Sequence, residues 1–304
     1  MLAQVLDTHP PRAGSLIVTV FGDAISQHGN AVWLGSLIKA LEPLGLNARQ
    51  IRTAAFRLVK DGWLSCVKVG RRSHYSFTEF GFRQYAKSAR RIYATEPIDW
   101  DGHWTLVMPV FASADLREQL KRELSWLGFG TMINGVLAHP CADKESLAET
   151  LAELNVADQT VVWRATSQEI GFDHVLKRLT HESWYLGELG VRFDGFIGHF
   201  QPSLAALESV SELDIGQMFE LQTLLVHEYR RIILKTTDLP DELLPTNWSG
   251  RAAVDLTARL YDRIRAASAN YLGTIFEGPH GRLEKAGAGY YERFRSAADP
   301  ERGI

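Results

Sequence analysis

Residues 47–78 read NARQIRTAAFRLVKDGWLSCVKVGRRSHYSFT, and this stretch decides the fold of the N-terminal part of the chain. Ile51, Ala54, Ala55 and Leu58 recur at helical spacing, which predicts a helix from about Ala48 to Lys60. Asn47, with Gln50 three positions on, has the pattern of a capping box at its start. At about 100° per residue, Arg49, Thr53, Phe56 and Lys60 point away from the apolar stripe, flanked by Gln50, Arg52 and Arg57. Arg can fork onto guanine edges or hold phosphates, Gln can pair with adenine, and Thr can touch a thymine methyl. Two strand-like runs follow, residues 64–69 and 74–78, joined by Gly70-Arg71-Arg72-Ser73. A short helix with a basic outer face, followed by a hairpin tipped by two arginines, has the order of a recognition helix and its wing. The candidate DNA contacts are therefore Arg49, Gln50, Arg52, Thr53, Arg57 and Lys60 on the helix, with Arg71, Arg72 and Ser73 on the hairpin.

The flanks agree. Residues 14–28 place Ile17, Val20, Phe21, Ala24 and Ile25 at helical spacing, and Gly29-Asn30 suits a helix stop. A short apolar step, Ala31-Val32-Trp33, leads into a second helix with Leu34, Leu37, Ile38, Leu41 and Leu44 on one face, ending near Gly45. An amphipathic helix over residues 79–94 closes the segment. Three helices, two strands and a basic tip make residues 1–95 a winged helix-turn-helix domain. Its charge supports a polyanionic partner: residues 47–94 hold eleven Lys/Arg against Asp61 and Glu79, a surplus of nine in a chain whose net charge is −3.

Beyond residue 97 the pattern changes. Residues 103–111 are strand-like, 115–127 form an amphipathic helix, 131–139 are β-prone around Gly135, 144–154 are helical and 160–165 form a strand. The order βαββαβ predicts a ferredoxin-like domain over residues 99–170, expected to dimerise. That fold also occurs in small nucleases, which need clustered carboxylates for a cation; here Asp115 follows the first strand, where it is placed to cap a helix. Residues 171–304 are mostly helical. Residues 215–235 are apolar almost all round, which predicts a central buried helix. Glu228 falls on its stripe with Leu221, Leu225 and Ile232 and needs a partner, which Arg231 or a neighbouring helix can provide. His227-Glu228 followed by Arg231 lacks the second ligand of H-E-x-x-H, so no metal is expected. Glycine and charge accumulate from residue 278, and the tail, 297–304, is expected to be mobile. The fold class is thus α+β and multidomain.

Composition is that of an ordinary globular protein, with 45% hydrophobic and 23% charged residues. No secretory pattern opens the chain and no apolar run approaches the roughly 18 residues of a membrane span. Cys66 and Cys141 have no C-x-x-C spacing, which fits a reducing cytoplasm rather than a disulfide framework or zinc site. No nucleophile motif, P-loop or dinucleotide fingerprint is present, so no enzymatic activity is expected.

The runs SLIVTVFGDAISQHG, VWLGSL, IRTAAFRLVKDGWL and VGRRSHYSFTEFG, with IDWDGHWTLVMPV, LLVHEYRRIILK and LPDELLPTNWSG further on, resemble the phenylacetate-degradation repressors (PaaX-type). The resemblance extends in family order from about Ser15 past Gly250. Asn30 stands where the family usually has a glycine pair, and Thr236-Thr237 replaces an expected Asp-Pro. The resemblance implies a cytoplasmic, homodimeric repressor that binds double-stranded operator DNA and is released by phenylacetyl-CoA, with no cofactor. An acyl-CoA needs cations for its phosphates and an aromatic-lined slot for its acyl group. Tyr229, Arg230, Arg231, Lys235 and Trp248 combine those properties and are the candidate ligand residues, in a C-terminal effector-binding domain. Two other readings stand beside this one: a winged-helix regulator, repressor or activator, answering to a different acyl-CoA or aromatic effector, and a DNA-processing enzyme with its chemistry in the middle domain.

Overall fold

A computed structural model describes residues 2–8, 10–96, 98–111, 113–166, 173–210, 212–237 and 239–295; the tail expected to be mobile lies outside them. The chain packs as two units, one of residues 1–95, 193–234 and 250–304, the other of residues 96–192 and 235–249.

The first unit opens with α1 (Leu2–Thr8) and α2 (Ala13–Asp23), then β1 (Ala31–Trp33) and α3 (Leu34–Leu41). The expected first helix is shorter than its apolar spacing suggests. It ends at Asp23, a 3-10 turn carries Ile25–Gln27, and Gly29 and Asn30 turn the chain at φ +90° and +59°. Asn30 thus takes the left-handed conformation that Asn tolerates better than most residues. α4 (Ala48–Lys60) begins on a complete capping box: Gln50 N donates to Asn47 Oδ1 and Asn47 N to Gln50 Oε1, each at 2.9 Å. β2 (Leu64–Val69) and β3 (Arg72–Phe77) pair antiparallel from Leu64↔Phe77 to Val69↔Arg72. The turn is therefore only Gly70-Arg71, with Gly70 at φ +61°, where a side chain would be strained. β1 joins β3 antiparallel, giving the order β1-β3-β2. α5 (Glu79–Ile92), capped by Thr78, follows the wing.

The second unit contains β4 (His103–Pro109), α6 (Ala114–Trp126), β5 (Gly130–Thr131), β6 (Leu137–His139), α7 (Lys144–Glu153) and β7 (Thr160–Thr166). Its antiparallel order, β5-β6-β4-β7, puts the first and third strands in the centre, as a ferredoxin-like sheet requires. One face buries Val107 and Leu137 against Leu120, Leu124, Leu147 and Leu151 of α6 and α7. The cap of α6 is Ser113, whose Oγ accepts from Leu116 N at 3.3 Å, rather than Asp115. Asp115 lies in the first turn, where its charge still favours the helix N-terminus. α8 (Asp173–Ser183) follows, and Trp184, Leu186, Leu239 and Leu243 cover Trp104 and Ala138 on the other face.

α9 (Leu186–Glu208) passes into the first unit, which continues with α10 (Ile215–Ile233) and α11 (Ser249–Ile275). The short hairpin of β8 (Glu277–Gly278) and β9 (Gly281–Arg282) and a turn of helix, α12 (Ala288–Tyr291), complete it. These helices change the reading of α2. Its spacing suggested one apolar stripe, yet every residue from Leu16 to Asp23 is buried, because α2 packs against α4 and also against α10. At Gly22 an added Cβ would lie 1.9 Å from the Tyr85 ring, so only glycine lets α5 approach. α10 is buried from Met218 to Tyr229 apart from the partly exposed Glu220 and Glu228, which makes its middle the central buried helix that its composition predicted.

Candidate nucleic-acid interface and the helices behind it

α4 is two-sided. Ile51 and Ala55 are fully buried, while Arg49, Gln50, Arg52, Thr53, Phe56, Arg57 and Lys60 are exposed. Arg49, Arg52, Arg57 and Lys60 have no acceptor among the described residues, so four cations on three turns of helix face solvent. Gln50 differs from them, because its Oε1 is engaged in the capping box and only its amide nitrogen remains to donate outward.

The hairpin separates the two arginines that the sequence had placed together at a tip. Arg71 is the exposed turn residue, whereas Arg72 and Ser73 belong to β3, opposite Val69 and Lys68. Arg72 donates to Glu277 of β8 and lies over the Trp33 ring, 4.3 Å from its centroid. Arg72 thus ties the wing to β1 and to the C-terminal hairpin, where Glu277 N also donates to Ser36 Oγ at 3.1 Å. Lys68, also exposed on β2, adds a charge that the candidate set did not include.

Behind the reading helix lies a buried polar cluster absent from that set. The Asp23 carboxylate, 3% exposed at the end of α2, accepts at Oδ1 from Tyr93 OH at 2.7 Å, Tyr261 OH at 3.0 Å and Arg293 Nη1 at 3.0 Å. Its Oδ2 accepts from Gln222 Nε2 at 2.7 Å. Arg293 also donates to the Asp23 carbonyl, to the Gly22 carbonyl at 3.0 Å, and lies over the Tyr93 ring at 4.3 Å. It thereby satisfies the last carbonyls of α2 with a cation, the charge a helix C-terminus favours. Burial pushes the Tyr290 phenol up to about 12 and those of Tyr93 and Tyr261 well above their ordinary value, so all three stay protonated. The cluster joins α2, the end of α5, α10, α11 and the C-terminal segment. One signal for it was present: Asp23 is a lone acid in the apolar run VTVFGDAI.

A second polar chain links α2 to α10. Thr19 Oγ1 lies 2.9 Å from His227 Nδ1, and Arg230 donates to the same Thr19 oxygen at 2.9 Å and to the Ser15 carbonyl at 3.4 Å. Burial, with Arg230 and Arg231 nearby, lowers the His227 pKa to about 3, so the imidazole is neutral. Arg230, a candidate ligand residue, is thus turned towards α2, which supplies its acceptors. Tyr229 is fully buried, its ring 5.7 Å from Phe196 and 6.1 Å from Phe294. Glu228 finds the expected partner: Arg231 Nη1 donates to its two oxygens at 2.9 and 3.1 Å. Of the remaining candidate ligand residues, both in the second unit, Lys235 is exposed and Trp248 packs partly buried with the cluster around Trp104 and Trp184. That unit also holds a groove of about 690 Å³ between α7 and the β4–β7 edge, lined in part by His103, Lys144, Leu147, Trp163 and Arg164, but by neither Lys235 nor Trp248.

Three family models match the chain: "PaaX-like protein" over residues 12–81, "PaaX protein central Cas2-like domain" over 97–175 and "PaaX-like protein C-terminal domain" over 184–274. The chain is 35% identical over 286 residues to the transcriptional repressor PaaX of Escherichia coli (strain K12), covering 94% of this chain and 90% of that one. Among solved structures, the uncharacterized protein Rv0674 from Mycobacterium tuberculosis aligns over 77% of this chain and 90% of its own, with a TM-score of 0.44 and 21% identity. With an N-terminal, a Cas2-like and a C-terminal family domain matched in order, and one relative matched over nearly its whole length, the chain belongs to the PaaX-like family, a three-domain α+β protein.

Proposed function

We propose that the protein is a transcriptional repressor of phenylacetate catabolic genes that binds operator DNA through α4 and the β2–β3 wing and is released by phenylacetyl-CoA. The observation that carries the reading is the outer face of α4, where four cations without acceptors among the described residues surround polar and aromatic side chains able to meet base edges. The name of the Escherichia coli relative supports the repressor assignment. The DNA contacts are Arg49, Gln50, Arg52, Thr53, Arg57 and Lys60 with Arg71, Arg72 and Ser73, among which Arg72 acts chiefly by holding the wing. Residues 1–95 form the DNA-binding domain, 99–170 a dimerising middle domain and 171–304 the effector-binding domain of a cytoplasmic homodimer.

Release needs a ligand that binds two states unequally. A hundredfold loss of operator affinity requires roughly 2.8 kcal/mol of differential binding. Arg230 offers a way to supply it, since it grips α2, which packs on α4. A ligand phosphate competing for that guanidinium, beside Tyr229 and Arg231 of the same helix, would favour a state in which α10 holds α2 differently. The test is an anisotropy titration on the DNA upstream of the phenylacetate genes, with phenylacetyl-CoA added at fixed salt. Release by another aromatic acyl-CoA alone would select the alternative effector reading.

An enzyme acting through the middle domain would need clustered metal ligands, and among the described residues no group of three or more His, Cys, Asp or Glu side chains is disposed to hold a metal ion. Incubation of supercoiled DNA with Mg²⁺ or Mn²⁺ tests that alternative directly: nicking would support it.

A further inference from the structure

We propose that Phe56 is a base-reading side chain that recognises the C5-methyl group of a thymine in the major groove. The proposal rests on the reading of α4 as the recognition helix. Phe56 is 68% exposed at the middle of the outer face of α4, with Arg52 and Thr53 one turn before it and Lys60 one turn after. Val59, half-buried, is directed elsewhere, and the apolar stripe of α4 lies on the opposite side at Ile51 and Ala55. Among the described residues of α4, the ring is therefore the exposed apolar group on a face of cations and polar side chains.

Its surroundings restrict what can cover it. An apolar patch on a protein partner would have to desolvate Arg52, Arg57 and Lys60 along with the ring, which interface cores avoid. A polyanion instead satisfies those charges and brings its own apolar group to the centre. In the major groove of a duplex, base edges offer donors and acceptors, and the apolar exception is the thymine methyl. Bases in a duplex stay stacked, so a ring on a helix lying in the groove meets that methyl at an edge and does not intercalate. The cations flanking Phe56 fix register on the phosphates, and the ring adds a contact that cytosine cannot offer.

The test uses, as its probe, the tightest duplex that the full-length wild-type protein selects from a random-sequence pool. Each thymine is replaced singly by deoxyuridine, which deletes only the methyl group. At one thymine of the site the wild type should lose about fourfold in affinity, the burial of one methyl group. Phe56→Ala should lose about the same on the thymine duplex and show no further loss on the uracil one. Phe56→Leu should keep part of the discrimination. Because the ring is exposed, both variants should melt with the wild type. A wild-type scan with no uracil penalty, or a penalty that persists undiminished in Phe56→Ala, overturns the proposal. Failure of the underlying reading has a different signature: Arg52→Ala would then bind the selected duplex as tightly as the wild type. If only the Phe56 proposal fails, Arg52→Ala weakens binding while the uracil scan is flat or independent of residue 56.

Discussion

Replacing Arg293 by Ala removes the cation from the buried cluster at the end of α2. Asp23 would keep Tyr93, Tyr261 and Gln222 as donors but lose its counter-charge, and the Gly22 carbonyl would keep only Ser26 Oγ, at 2.9 Å, of its two side-chain donors. Breaking a buried pair by deleting one partner costs about 3–5 kcal/mol. Three neutral hydrogen bonds still hold the carboxylate, so the lower end, about 3 kcal/mol, is expected. For a unit of this size that is a fall in Tm of roughly 6–12 °C. Calorimetry gives the shift, and hydrogen exchange in peptides from α2 and α11 assigns it to the first unit. The second unit, which does not include the cluster, should keep its protection. Replacing both Asp23 and Arg293 by neutral residues of similar shape, Asn and Met, should restore part of the loss, because no uncompensated charge remains. If Arg293→Ala melts at the wild-type temperature, or the double variant is no better than the single, the cluster does not bind α2 to the C-terminal helices in the way described.

Further outcomes follow from the same contacts. Arg71→Ala should weaken binding to all duplexes alike and lower the salt slope by about 1, whereas Arg72→Ala should also lower stability by releasing the wing from Glu277 and Trp33. Stability should fall as pH drops from about 6.5 towards about 3, because unfolding frees His227 to take up a proton that its buried neutral ring excludes; urea titrations of wild type and His227→Gln measure the difference, at most roughly 4–5 kcal/mol. Arg231→Ala should cost about 1 kcal/mol, since its pair with Glu228 is only partly buried, with side chains 46% and 14% exposed. Arg230→Ala should need tenfold or more phenylacetyl-CoA for release, consistent with one charge-assisted hydrogen bond lost to the ligand, about 1.5–3 kcal/mol; unchanged ligand affinity by calorimetry would remove Arg230 from the ligand site.

Local features were legible in the sequence. The capping box of Asn47 and Gln50 and the bounds of α4 need only neighbours within one turn. The βαββαβ order was readable because each element carries its own periodicity and the antiparallel register follows from the sheet. What the sequence withheld depends on partners far along the chain. Arg72 looked like a second tip residue because nothing nearby shows Glu277, 205 positions away. Arg230 looked free to take a phosphate because helical spacing cannot show that α2 lies against it. Asp23 sat unremarked in an apolar helix because its partners come from four other segments, although a lone buried acid always needs an explanation. Asp115 lost the cap to Ser113 by two residues, the usual uncertainty of a helix start.

Whether an acyl-CoA releases the protein from operator DNA can be read from one titration. Operator binding is measured at constant salt with phenylacetyl-CoA, free phenylacetate and CoA added side by side. Phenylacetyl-CoA should lower operator affinity about a hundredfold while the two fragments, each lacking half of the recognised chemistry, leave it nearly unchanged. Equal affinity in all three arms, or release by free phenylacetate alone, would contradict release by the acyl-CoA.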